Sequence, residues 1–247
     1  MVGPPGTSKS WYADEVAKKL TGGDTTRVRS VQFHPSYQYE DFVEGFVPNS
    51  SGGFDPTRKH FRLLCEAASE NSENLYVLVI DEISRCDAAR VFGEALTYLE
   101  SSKRGQTFQL ASGSEMSIPA NVFILATMNP WDRGVDEMDV ALDRRFAHIE
   151  MPPRVDLLAS LLAESEISEA QEAGLIKFFE EVQKHYNPMC HIGHAYFARV
   201  TDGESLARLW RFQLKHVFTR ALREDVEELR KIEAIWRQLV ERADLVG

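Results

Sequence analysis

A chain of 247 residues, 43% hydrophobic and 27% charged, can bury one large domain or a large and a small one, and its composition is ordinary for a soluble globular protein. Its formal net charge of −10 argues against broad electrostatic adhesion to nucleic acid or anionic membrane, although a local basic patch stays open. The three scattered cysteines, Cys65, Cys86 and Cys190, form neither a disulfide framework nor a zinc spacing. With no apolar run of membrane-spanning length and no signal-peptide layout, they predict a cytoplasmic protein.

The chain opens on Gly3-Pro4-Pro5-Gly6-Thr7-Ser8-Lys9-Ser10, which follows the phosphate-cradling pattern G-x-x-x-x-G-K-[ST] except that Ser8 stands at the second glycine. Polyphosphate oxygens are held by backbone N–H groups at a helix N-terminus, which needs small residues so that the backbone can approach. Gly3, Gly6 and Ser8 are small enough. In this pattern Lys9 meets the β/γ-phosphates and the Ser10 hydroxyl helps hold Mg²⁺, with Pro4 and Thr7 completing the cradle. Ser8 is at odds with the pattern if the loop needs positive φ there. A Gly/Pro turn that happens to precede a lysine is the plainer alternative. Only Met1 and Val2 precede Gly3, so the strand expected to feed such a loop is largely missing; poor folding is expected unless upstream residues or a partner supply it.

Trp11 to Leu20 reads as the helix behind the loop, with Val16 and Leu20 on one face and Gly22-Gly23 as its stop. Val28 to Phe33 is a short strand. An aromatic-acidic stretch follows from Tyr37 to Phe46, read as a loop and short helix whose aromatics pack on the core. Asn49 to Pro56, rich in Ser, Gly and Pro, predicts a mobile loop, and Thr57 a cap for a helix to about Glu70.

Leu75 to Ile80 is apolar without alternation, which suits a strand buried on both faces of a parallel sheet. It ends in Asp81-Glu82, placing two carboxylates where ligands bind in open α/β sheets. There Asp81 would hold Mg²⁺ and Glu82 would orient or deprotonate the attacking water; an exposed acidic turn is the alternative. Cys86 to Leu99 predicts a helix, Gly105 to Pro119 a hairpin, and Asn121 to Thr127 the next buried strand. Asn129 then emerges at the same sheet edge as Asp81, where an amide can position water against a γ-phosphate, unless it is a turn-forming Asn before Pro130. Asp143-Arg144-Arg145-Phe146 precedes a predicted final strand, Ala147 to Met151, stopped by Pro152-Pro153. The paired arginines are either surface charge or groups that act in a neighbouring subunit's site. From Arg154 strands vanish and amphipathic helices are predicted at Leu157–Ala163, Leu175–Val182, Leu206–Leu222 and Val226–Val240. The expected domains are therefore residues 1–153, α/β and nucleotide-binding, and residues 154–247, helical.

Together, GPPGTSKS (Gly3 to Ser10), VQFHPSYQYEDFVEGF (Val31 to Phe46), LVIDEISR (Leu78 to Arg85), VFGEALTYLE (Val91 to Glu100), ATMNPWDR (Ala126 to Arg133), ALDRRF (Ala141 to Phe146) and HIGHAYF (His191 to Phe197) resemble the AAA+ class of NTPases. Within that class they resemble the McrB-like family, nucleotide-driven motors of modification-dependent restriction systems. The resemblance implies an AAA+ P-loop fold, a parallel sheet flanked by helices, followed by an all-α lid. It implies Lys9 and Ser10 as nucleotide and Mg²⁺ residues, Asp81 as the Mg²⁺ aspartate, Glu82 as the catalytic glutamate and Asn129 as the γ-phosphate sensor. Asp132 and Arg133 fall on the family's DR positions, Arg144 and Arg145 on the arginines expected to act in trans. His191 to Phe197 would lie in the lid near the nucleotide base, with His191 and His194 packing there in preference to binding a metal. By resemblance the cofactors are ATP or GTP with Mg²⁺, and the partners are further copies in a ring, by family habit a hexamer, and a nuclease subunit. DNA would be reached through the ring or the nuclease, and no membrane is involved. Two rival functions remain at this point: a MoxR-like protein remodeller with the same site, and a nucleotide-binding scaffold with little turnover. Ser8 and Pro130-Trp131 depart from the family pattern, the latter leaving the base open.

Overall fold

The computed structural model describes residues 1–131 and 140–241, which fall into two compact units: Met1–Val2 with Lys9–Ile149, and Gly3–Ser8 with Glu150–Gly247. The division therefore comes at Ile149–Glu150, and the loop residues Gly3–Ser8 group with the helical part of the chain. That grouping differs from the expected boundary after Pro153.

In the first unit the chain runs α1 (Lys9–Leu20), β1 (Val28–Gln32), α2 (Tyr39–Phe42), β2 (Glu44–Pro48), β3 (Phe54–Arg58), α3 (His60–Glu70), β4 (Tyr76–Asp81), α4 (Ala88–Phe92), α5 (Ala95–Tyr98), β5 (Thr107–Gln109), β6 (Glu115–Ser117), β7 (Val122–Ala126) and α6 (Val140–Asp143). A parallel sheet of order β1-β4-β7 carries the architecture, with Ile80 opposite both Val31 and Ala126. The first five residues of β4 are all buried, as its unbroken apolar run requires. Its side chains alternate between two layers. Val77 and Val79 meet Ala13 and Ala17 of α1, while Leu78 and Ile80 face a core in which Phe42, Phe61 and Phe92 pack with ring centroids 5.1–5.7 Å apart. Small alanines, not Val16, carry the buried face of α1, so the helix can lie close on the sheet.

Several expected elements differ, each for a local reason. Asn49 to Pro56 is not a free loop. It closes the antiparallel β2–β3 hairpin, and the Asn49 carboxamide oxygen accepts from Ser51 N, Ser51 Oγ and Gly53 N. Thr57 belongs to that hairpin opposite Gly45, so α3 starts at His60, without a side-chain cap. The helix expected from Cys86 to Leu99 breaks at Gly93, whose φ of 53° ends α4. No strand forms over Ala147 to Met151. The position beside β7 is held by Met1 and Val2: the Met1 amine donates to Ala126 O (2.7 Å), Met128 N to Met1 O (3.0 Å) and Val2 N to Ile149 O (2.9 Å). Beside it lies a cavity of about 410 Å³ lined by Val2, Phe123, Ile124, Phe146 and Ile149, and Phe123 and Ile149 are left 44% and 52% exposed.

The second unit contains α7 (Val155–Leu162), α8 (Glu169–Gln183), α9 (Gly203–Leu209), α10 (Lys215–Ala221) and α11 (Val226–Trp236). Its core stacks Trp210 on Trp236 at 4.5 Å, with Phe178 edge-on to Trp236 at 5.0 Å. Ser168 and Gln171 form a capping box that starts α8 well before Leu175, the expected first residue. The helix expected over Leu206–Leu222 is α9 and α10 joined by a π-helical turn, Trp210–Leu214, which swings Trp210 onto Trp236.

Candidate functional site

Residues Gly3–Ser8 form a loop of forced backbone conformations. Gly6 has φ 80° and Ser8 φ 63°, so the positive φ that the pattern reserves for its second glycine is taken here by a serine. A Cβ on Gly3 would stand 2.2 Å from Met151 O, and one on Gly6 2.6 Å from the Tyr196 ring. The buried Thr7 hydroxyl donates to Pro4 O (3.0 Å), bracing the turn. Pro5 O and Gly6 O accept from Gly193 N and Ala195 N, both at 2.8 Å. Tyr196, Arg199, Arg208, Phe212 and Gln213 surround Gly6 in a pocket of about 600 Å³ within the same unit.

Helix α1 follows at once, its first residue Lys9 buried and Ser10 exposed. At the C-terminal edge of the sheet, Ser10 Oγ donates to Asp81 Oδ1 at 2.8 Å. The end of the phosphate-loop pattern and the end of β4, 71 residues apart, therefore meet directly. The Thr127 hydroxyl donates to the same carboxylate oxygen and accepts from Glu82 N (3.1 Å), so one hydroxyl fixes both acidic residues. Thr127 is 1% exposed, and its own N–H bonds Ile80 O. Glu82 adopts the left-handed region (φ 58°, ψ 47°), a costly conformation for a non-glycine residue, and Arg85 Nε reaches its carboxylate at 3.3 Å. Asn129 is buried at the same edge, its carboxamide oxygen accepting from Trp131 N.

Ser10, Asp81, Glu82 and Asn129 are the residues that the sequence pattern marks at this edge. Thr127 and Arg85 escape it, their only signals being a hydroxyl that closes an apolar run and a cation three residues after a carboxylate.

The two arginines part company. Arg144 is exposed and reaches Glu100 Oε1 at 3.0 Å. Arg145 is turned into its own unit, with a side chain 7% exposed, bonded to Glu100 (2.7 Å) and Ala141 O. To act in trans, as expected of both arginines, Arg145 would have to leave two partners and a packed position. Asp132 and Arg133 lie outside the described residues.

Ser10 and Asp81 together offer one hydroxyl and one carboxylate, the hard oxygen set that suits Mg²⁺ when phosphate oxygens and water complete the shell. Among the described residues no group of three or more His, Cys, Asp or Glu side chains could hold a metal. His191 bonds its own unit's backbone at His185 O (3.0 Å), and His194 is 4% exposed with Nδ1 unpartnered.

A loop with these positive-φ positions, a serine that passes straight into a strand-end aspartate and a carboxylate next to it define a P-loop nucleotide-binding domain. The family is settled by comparison. A model of the AAA domain (dynein-related subfamily) matches residues 1–146, and the chain belongs to that family. It is 35% identical over 225 residues to the Type IV methyl-directed restriction enzyme EcoKMcrB subunit of Escherichia coli (strain K12), covering 84% of this chain and 49% of that protein. It is also 27% identical over 191 residues to the Type II restriction enzyme BsuMI component YdiS of Bacillus subtilis (strain 168), covering 60% of this chain and 56% of that protein. The chain thus falls among the McrB-like AAA+ proteins and spans about half the length of these relatives.

Proposed function

We propose that this domain hydrolyses ATP or GTP with Mg²⁺ as the motor of a restriction or phage-defence assembly. The Ser10–Asp81 contact at 2.8 Å carries this reading, because it brings together the two protein oxygens that a Mg²⁺–triphosphate site needs. In it Ser10 and Asp81 would hold the metal, which when bound would neutralise phosphate charge. Lys9 and the N–H groups of the loop and first turn of α1 bind the triphosphate. Glu82 orients the attacking water and takes its proton; Thr127 and Arg85 fix where its carboxylate stands. Asn129 senses the γ-phosphate, and Asp132 and Arg133 act at the family's DR positions.

Arg144, exposed at the end of α6, is the group that reaches a neighbouring subunit in a ring, with a hexamer as the family precedent. The pocket of about 600 Å³ lined by Tyr196 and Gln213 is of a size for a nucleoside and is the candidate base site, with the choice between adenine and guanine open. The relatives are named as restriction components, which supports a nuclease partner, with DNA reached through it or the ring. No helix among the described residues is long and apolar enough to cross a membrane.

The test is Glu82→Gln, followed by phosphate release from ATP and from GTP across a range of protein concentrations. Nucleotide binding should persist while turnover falls by about 10²–10³. Turnover at the parent rate in that variant would end the proposal.

A further inference from the structure

The serine at position 8 carries the inference furthest. It holds φ 63°, in the left-handed region where a Cβ is penalised and glycine is the ordinary occupant. Something must hold it there. Its hydroxyl lies 3.5 Å from Nε2 of His194, a residue 186 positions away and 4% exposed, whose Nδ1 is buried without a partner. The flanking carbonyls of Pro5 and Gly6 are tied to Gly193 N and Ala195 N at 2.8 Å, and a Cβ on Gly193 would stand 2.0 Å from Gly6 C. The loop backbone and residues 193–195 are therefore packed main chain to main chain, which brings the His194 ring within reach of Ser8.

Chemistry selects the tautomer. A buried N–H without an acceptor costs more than a buried ring lone pair without a donor, so the proton belongs on Nε2, donating to Ser8 Oγ. The Ser8 hydroxyl hydrogen is then left for an acceptor of its own. Burial lowers the His194 pKa, Arg154 adds to the effect and Asp156 opposes it, so the imidazole is neutral near pH 7.

We propose that His194 is a positioning residue: it locks Ser8 in the left-handed conformation that glycine supplies in the ordinary phosphate loop, and turns the Ser8 hydroxyl hydrogen toward a phosphate oxygen of the bound nucleotide. This rests on the nucleotide reading above. It explains why a serine is tolerated at that position of this chain, and it makes the loop's shape depend on a side chain of the helical unit.

The experiment is a double-mutant cycle of Ser8→Gly and His194→Ala, with His194→Gln as the conservative variant that can still donate to Ser8. Affinity is read with N-methylanthraniloyl-ATP and N-methylanthraniloyl-GTP plus Mg²⁺, and each protein's thermal midpoint is recorded alongside. His194→Ala should weaken binding by about 5- to 20-fold in the parent and by less than about 2-fold in the Ser8→Gly background, and His194→Gln should stay within about 2-fold of the parent. Equal losses in the two backgrounds, no loss in either, or no rescue by glutamine would overturn the proposal. Should the parent bind neither nucleotide, the hydrolase reading fails separately. The cycle is then scored on thermal midpoints, where non-additive shifts keep the Ser8–His194 lock and additive shifts dismiss it.

Discussion

The acidic edge of the sheet and the Gly3–Ser8 loop reach fixed geometry by opposite means. At the edge, side chains do the fixing: Thr127 bonds Asp81 and the Glu82 amide, Ser10 of α1 bonds Asp81, and Arg85 bonds Glu82, at the ends of β4 and β7, whose backbones are already paired. In the loop the backbone is fixed largely by other backbone, Pro5 and Gly6 by Gly193 and Ala195, with the Thr7 hydroxyl bracing Pro4 O and the His194 ring beside Ser8. The first arrangement tolerates a backbone neighbour's change but not the loss of one hydroxyl. The second has no space for a methyl group at Gly193 or Gly6. Catalytic groups and binding groups should therefore fail differently when perturbed.

The largest expected effect separates the arginines that flank the sheet edge. Arg144→Ala should lower kcat by about 10³ or more and leave the thermal midpoint near that of the parent, because an exposed guanidinium contributes little to folding but much to transition-state charge when it acts between subunits. Arg145→Ala should show the reverse, a lower midpoint from loss of two partly buried hydrogen bonds and of packing. Mixing Arg144→Ala with Glu82→Gln subunits checks the trans assignment. Partial recovery of turnover in the mixture supports it, and strict inactivity counts against it.

Next in size is Thr127→Val, which keeps the shape and removes the hydroxyl. The Glu82 N–H then loses its acceptor and Asp81 a donor, so kcat should fall by about 10- to 100-fold, corresponding to about 1–3 kcal/mol for an unsatisfied buried group. Nucleotide affinity should change by less than about 3-fold if the edge is a catalytic device, since the loop is held by other means. A comparable loss in affinity, measured by titration of a fluorescent nucleotide, would show that the two regions are not independent.

Residue order shows where this contrast could be read in advance. The β4 run and its acidic end were legible because burial on both faces leaves an unbroken apolar signature, and the phosphate-loop spacing pointed to Ser10 meeting Asp81. The β2–β3 hairpin was not, since Pro48 and Pro56 in short edge strands look like loop composition. Nor could Arg144 be told from Arg145: adjacent identical residues differ only in which way the chain turns them. His194 was visible as a histidine near a motif, but its tie to Ser8 spans nearly the whole chain and leaves no periodic trace.

The smallest effect concerns pH and bears on the loop side of the comparison alone. The His194 pKa lies below its ordinary value of 6.5 in the fold, mainly through burial, so between these values the unfolded chain binds the extra proton and the folded one does not. The neutral imidazole's contribution to stability is therefore complete above about pH 6.5 and is lost progressively on acidification below it. His60 in the first unit is shifted the same way, by burial with Arg29 and Lys59 adding and Asp41 opposing, and loses stability on acidification in the same sense. Between pH 7 and 5.5 the thermal midpoint should fall by about 2–4 °C more in the parent than in His194→Gln, and adding His60→Gln should reduce the slope further. An unchanged slope in His194→Gln would mean that the imidazole takes up its proton without leaving Ser8, and the loop would then owe its shape to the main-chain bonds of Gly193 and Ala195 alone.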